Sequence, residues 1–173
     1  GLVYLTEDRK EKGLLLGKSL TENLTLLALD RFGRLFIDKS AEEKALTTAF
    51  SEFDIRAKDR TMTAGSLSGG NQQKLLLAKT MLAEPQIVII DEPTRGIDIG
   101  TKQQIYDFIA ALAAQGKSVI VVSSELPEVI GLSSRVVVMG RGHLAGELAG
   151  AEITEDAILR RAMGVGELTG ASA

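Results

Sequence analysis

Two adjacent carboxylates, Asp91 and Glu92, directly follow the branched apolar run Ile87-Val88-Ile89-Ile90. Such a run predicts a fully buried strand over 86–91, which delivers both acids to its C-terminal edge, where α/β sheets collect their ligands. The chemistry open to them there is phosphoryl transfer: one carboxylate holds Mg²⁺, directly or through its waters, while the other polarises an attacking water. Asp91 takes the metal and Glu92 the role of general base. The bland alternative is an Asp-Glu-Pro that ends a strand and caps a turn, because carboxylates and proline are ordinary loop residues.

Some twenty residues upstream stands Leu67-Ser68-Gly69-Gly70-Asn71-Gln72-Gln73-Lys74, opening a helix from about Gly70 to Leu82. A hydroxyl and two glycines at a helix start make an anion site, since free N–H groups and the positive dipole end meet unhindered backbone. Taken alone, Ser68 is equally a simple N-cap beside flexible glycines. The pairing of this helix start with a buried strand ending in two acids is more particular than either part.

Residues 13 to 19, Gly-Leu-Leu-Leu-Gly-Lys-Ser, end in the letters of a phosphate-binding P-loop. A working loop has four residues between its glycines and follows a buried strand. Here three residues separate Gly13 from Gly17, and the run before Gly13 is Glu7-Asp8-Arg9-Lys10-Glu11-Lys12. Spacing and context both predict a surface loop leading into a helix, with Lys18 outside any phosphate site.

The positioning elements follow from pattern. Leu2 to Leu5 predicts a short strand and the charged run to Lys12 a solvated loop. Residues 13–65 are mainly helical, with Ser19 or Thr21 capping one helix and Ser40-Ala41-Glu42-Glu43 forming a capping box for another that runs to about Phe53. Helices over 100–114 and 125–131 then alternate with strands over 118–123, 135–139 and 144–148, and a terminal helix covers 154–163. Strands alternating with helices imply an α/β fold with a parallel sheet and crossover helices. The chain thus divides into 1–12, a remnant of core sheet; 13–83, a helical subdomain; 84–163, sheet core; and 164–173, a disordered tail.

With 173 residues and 45% hydrophobic content the chain can bury one core. A net charge of −3 from interspersed residues lacks the basic footprint of a nucleic-acid binder. Zero Cys removes disulfides and thiolate sites, and a single His removes multi-His metal centres. No apolar run approaches the roughly 18 residues that cross a bilayer. A strand-like opening without Met reads as cut from something longer.

On these motifs the sequence resembles the ATP-binding cassette (ABC) ATPases. Leu67-Ser68-Gly69-Gly70-Asn71 is similar to their signature, Ile87 to Glu92 to the Walker B strand, and Gly96-Ile97-Asp98 to the D-loop. The stretches EDRKEKGLLLGKSLTENLTL, LSGGNQQK, DEPTRGIDIG and VSSELPEV resemble the second cassette of tandem-cassette ATPases that drive bacterial monosaccharide import. The resemblance implies a partial RecA-like nucleotide-binding domain plus a helical signature subdomain, with the true P-loop upstream of Gly1. It implies ATP and Mg²⁺ as cofactors and Ser68, Gly69, Gly70, Asn71, Asp98, Ser124 and Glu7 as nucleotide-site residues beside Asp91 and Glu92. It also implies an N-terminal partner cassette, transmembrane permease subunits and, indirectly, an external sugar-binding protein, with the chain peripheral on the cytoplasmic face of the membrane.

Three positions depart from the family pattern. Glu7 stands at the place of the Q-loop Gln, Asn71 replaces the last Gln of the signature, and Ser124 stands where a switch His is usual. A neutral hydroxyl cannot become an imidazolium beside a γ-phosphate, so one source of transition-state stabilisation is gone. This predicts an asymmetric pair in which the chain mainly completes the partner's site. His143 is expected in a hairpin turn, Phe32, Phe36, Phe50 and Phe53 in the core of the helical section, and Arg95 on a phosphate or paired with an acid.

Overall fold

The structure, a computed structural model, describes residues 1–164. It forms two compact units, Gly1–Val122 and the segment from Ser123 onward. Each is described by itself.

The first unit holds a parallel three-stranded sheet, β1 (Leu2–Leu5), β2 (Ile87–Asp91) and β3 (Ser118–Val122), in the order β1-β2-β3. Register pairs Leu5 with Ile90, and Asp91 with Val122. The strands are almost wholly branched apolar residues. Leu5, Val88 and Ile90 are buried, while the alternate set Leu2, Tyr4, Ile120 and Val122 is exposed.

A long excursion between β1 and β2 carries α1 (Leu20–Thr25), α2 (Lys39–Glu52) and α3 (Gly69–Met81), and α4 (Ile99–Ala114) crosses from β2 to β3. α1 packs on α2 and α3, burying Leu20 and Leu24. The charged run expected as a loop is instead one π-helical turn, Arg9–Gly13, capped by the Asp8 side chain on the Glu11 N–H at 3.1 Å. Lys10, Glu11 and Lys12 stay exposed on it.

Two helix starts differ in detail from the sequence reading. Ser19, not Thr21, caps α1 in a reciprocal capping box with Glu22. For α2 the cap is Asp38, whose carboxylate accepts from the Ser40 and Ala41 N–H groups, so the helix starts before the expected Ser40 box. Glu42 is buried, accepting from the Thr25 hydroxyl at 2.7 Å and Lys39 Nζ at 2.9 Å. An acidic side chain two residues earlier already satisfies the open amides, which frees Glu42 to tie α2 to α1.

The aromatic expectation holds in part. Phe32 is buried, Phe53 meets Phe108 of α4 with ring centroids 5.2 Å apart, and Phe50 lies under the Arg60 guanidinium. Phe36 is 89% exposed and is not core. It lies in the loop between Gly33, with φ 141°, and the Asp38 cap of α2, so no helix carries it inward.

The second unit contains α5 (Leu126–Leu132), the antiparallel hairpin of β4 (Arg135–Gly140) and β5 (His143–Ala149), and α6 (Glu155–Met163). Val136, Val138, Leu148 and Ile158 form its core. Arg141 and Gly142 turn the hairpin with φ of 50° and 80°, the signs of a type I′ turn, and His143, expected in the turn, is the first residue of β5, paired with Gly140. Gly164, with φ 70°, ends α6 in a left-handed cap. The tail expected over 164–173 otherwise lies outside the described residues.

Candidate functional site

β2 ends where the sequence places its acids. The Glu92 N–H bonds to the Val122 carbonyl at 2.8 Å, after which Glu92 adopts φ 46°, a left-handed conformation unusual for a residue with a side chain. Backbone of this kind persists only where its surroundings impose it, and it concentrates at functional sites. Tyr4, on the neighbouring strand, donates its hydroxyl to Asp91 Oδ2 at 2.6 Å. That bond raises the phenol's pKa above its ordinary value, because ionising Tyr4 would set two anions face to face. Sequence reasoning missed Tyr4: its only signal is the β1–β2 register, which pairs it with Ile89 two places before Asp91.

The α3 start is built from Ser68, an extended residue whose hydroxyl accepts from the Asn71 N–H at 3.4 Å and side-chain Nδ2 at 2.9 Å. Asn71 Oδ1 in turn accepts from the Arg56 N–H at 2.7 Å, so both ends of its amide help to hold the loop. Both glycines stand in close approach to a neighbouring side chain. A methyl group on Gly69 would sit 3.0 Å from Arg9 Nη2, and one on Gly70 would sit 3.0 Å from Thr101 Oγ1.

Beside this helix start lies a cleft of about 300 Å³ whose lining includes Ser68, Gly70, Asn71, Asp54, Arg56, Lys74 and Thr101. Lys74 Nζ bonds to Asp54 Oδ2 at 3.2 Å and to its carbonyl at 2.9 Å, and Arg56 joins the same carboxylate. Lys74, then Arg56, hold the Asp54 carboxyl below its usual range. Two cations against one acid leave the cleft suited to an anion.

Thr101 brings Asp98 alongside. Asp98 caps α4, accepting from the Thr101 N–H at 3.0 Å and from its hydroxyl, and these bonds hold its carboxyl below the ordinary range. Ser68, Gly69, Gly70 and Asn71 are thereby brought beside Asp98. Gln73, one turn into α3, donates to the Pro93 carbonyl at 3.1 Å and ties the same helix to the turn behind Asp91 and Glu92. Glu7 pairs with Arg95, which resolves Arg95 to an acid partner. Ser124 belongs to the second unit, just ahead of α5, where the Ser123 hydroxyl accepts from the Glu125 N–H at 3.0 Å.

Gly17-Lys18-Ser19 is a turn and a helix cap. The Lys18 N–H bonds to the Leu15 carbonyl at 2.9 Å, its ammonium pairs with Glu22 at 3.2 Å, and Ser19 caps α1. Buried Asn23 closes the loop by bonding the Leu15 N–H and carbonyl.

Among the described residues no group of three or more acidic, His or Cys side chains could cage a metal. Asp91 and Glu92 offer hard oxygen donors at one edge. That set fits Mg²⁺, which keeps several waters and takes few protein carboxylates beside phosphate oxygens.

Comparison with known proteins fits this arrangement. The ABC transporter family model matches residues 3–95, more than half of the chain. The chain is 43% identical over 167 residues to the ribose import ATP-binding protein of Clostridium perfringens (strain SM101 / Type A), covering 95% of this chain and 33% of that one. It is 45% identical over 166 residues to the ribose import ATP-binding protein of Roseobacter denitrificans, covering 95% of this chain and 32% of that one. The chain thus spans about a third of the length of these curated relatives. Among solved structures, a dimeric ATP-binding cassette in a post-hydrolysis state bound to ADP and Pi aligns with TM-score 0.72 at 21% identity, over 86% of this chain and 62% of that one. A putative metal-chelate type ABC transporter in an inward-facing conformation aligns with TM-score 0.74 at 16% identity, over 95% and 63%. These likenesses establish the α/β cassette fold, and with the family model matched across β1, α3 and β2, the chain belongs to the ABC transporter family.

Proposed function

We propose that this chain is part of the ATP-hydrolysing, energy-coupling subunit of a sugar importer. The observation that carries the catalytic part is Glu92, held in a left-handed conformation directly after Asp91, at the end of a strand expected to be fully buried but in fact buried only at Val88 and Ile90. The identity to ribose import proteins supports sugar as cargo. In this reading Asp91 holds Mg²⁺ and Glu92 orients water, while Ser68, Gly69, Gly70 and Asn71 present N–H groups and a hydroxyl to a nucleotide carried by a partner cassette. Mg²⁺, when bound, neutralises charge developing on the phosphates. Asp98 links the two sites through Thr101. The subunit works at the cytoplasmic face of the membrane with permease subunits and an external sugar-binding protein.

Glu7 at the Q-loop place and Ser124 at the switch-His place favour asymmetry: the chain's own site is slow, and its main duty is to complete the partner's. The test is ATP hydrolysis by the complete two-cassette protein. Replacing Ser68 by Ala together with Gly69 by Val should lower kcat about a hundredfold or more, the scale of losing a transition-state donor, and Glu92→Gln should cost far less. Equal losses remove the asymmetry. No loss from either leaves the second reading, a cassette that binds partners without hydrolysis, which Ser124 and Glu7 also favour.

A further inference from the structure

We propose that Arg9 is a positioning residue that couples the carboxylate end of β2 to the Ser68 end of α3. The proposal rests on reading those two ends as parts of nucleotide sites. Arg9 Nη1 donates to the Arg95 carbonyl at 3.3 Å, three residues past Glu92. On the other side of the same guanidinium, Nη2 lies 3.0 Å from where a methyl group on Gly69 would stand, so the guanidinium sits directly against the Gly69 backbone. Nε is buried without a hydrogen-bond partner, a cost that the placement of the group must offset.

Its place is set from both directions along the chain. Ahead of it, Glu7 pairs with the Arg95 side chain. Behind it, the buried ammonium of Lys79, on α3, donates to the Gly13 carbonyl at 2.8 Å, and Gly13 itself lies close against the Leu76 side chain. The π-helical turn is thereby anchored to the β2 turn at one end and to α3 at the other, and Arg9 touches both. Gln73 sets the spacing between α3 and Pro93 independently and out of solvent, so loss of Arg9 leaves that packing in place. A planar fork that reaches two groups in different directions has no equivalent in the point charge of Lys.

In a head-to-tail pair the β2 carboxylates face one nucleotide and Ser68 the other. Arg9 then stands between two nucleotide sites, and a shift at one end is transmitted to the other as a coupling free energy, which is reciprocal. The test is an ATP titration of steady-state hydrolysis by the complete two-cassette protein as wild type, Arg9→Ala and Arg9→Lys, with Ser68→Ala as control. The expected Hill coefficient is clearly above 1 in the wild type and about 1 in both Arg9 variants. Loss of folded protein scales the velocity at every ATP concentration and leaves that coefficient alone, so destabilisation does not imitate the effect. If Arg9→Ala does not fold, Arg9→Lys, which keeps the charge and most of the stem, carries the test. An unchanged coefficient in the folded variants, or a non-cooperative wild type, overturns the coupling while leaving the nucleotide sites intact. A wild type without ATPase activity, or a Ser68→Ala variant with full activity, overturns the reading of the two ends and the coupling with it.

Discussion

The side-chain amide of Gln73 donates to the carbonyl of Pro93 at 3.1 Å, with both residues buried, and so fastens α3 to the turn that follows Asp91 and Glu92. Gln73→Met keeps the volume and removes the donor, leaving a buried carbonyl unpaired. The expected cost is about 1–3 kcal/mol of stability, read from the midpoint of chemical denaturation. An unchanged midpoint would mean that this bond contributes nothing to holding the two ends together.

Lys18 sits in a capped turn and is paired with Glu22. Lys18→Ala is therefore expected to leave ATP·Mg²⁺ binding unchanged in titration calorimetry. Micromolar binding that disappears with the substitution would make Gly13–Ser19 a phosphate loop after all.

Glu22 has its pKa lowered from 4.5 to about 2, first by the Ser19 backbone N–H, then by the Ser19 hydroxyl and Lys18. Its contribution to folding is fully present above pH 4.5 and is lost as pH falls through about 2, because the unfolded carboxylate takes up its proton first. The difference in denaturation midpoint between wild type and Glu22→Gln should shrink steadily across that interval. A difference that stays constant with pH would remove the charged capping box as its source.

Lys79 shows the opposite pattern. Burial lowers its pKa below the ordinary 10.5, with the ammonium on the Gly13 carbonyl. Between the lowered value and 10.5 the unfolded chain binds more protons than the folded one, so stability rises with pH across that window. Lys79→Met lacks the titrating group, and the advantage of wild type over the variant should grow as pH approaches 10.5 and then level off. A flat difference would place the ammonium in a well-solvated setting.

Local sequence determined much of the cassette. The branched runs of β1, β2 and β3 and the Ser68 and Asp98 helix starts are written in consecutive residues, because strand burial and N-capping depend on neighbours a few places away. The short spacing around Gly17 likewise pointed to a surface turn leading into a helix, which is what Gly17-Lys18-Ser19 forms. Even the cap of α2 was local, yet of two acceptors two residues apart it is Asp38, taking the Ser40 and Ala41 N–H groups, that starts the helix, and Ser40 lies inside it.

What only the tertiary structure decided are contacts across long separations. Tyr4 on Asp91, Glu7 on Arg95, Arg9 between Arg95 and Gly69, and Lys79 on Gly13 join residues from 60 to 88 positions apart. No periodicity or spacing announces such pairs, because each depends on the register of β1 against β2 and on how α3 lies over the π-helical turn. A charged run that looks like solvated loop thus becomes, once β1 and β2 are paired, the segment that touches both the turn after β2 and the start of α3.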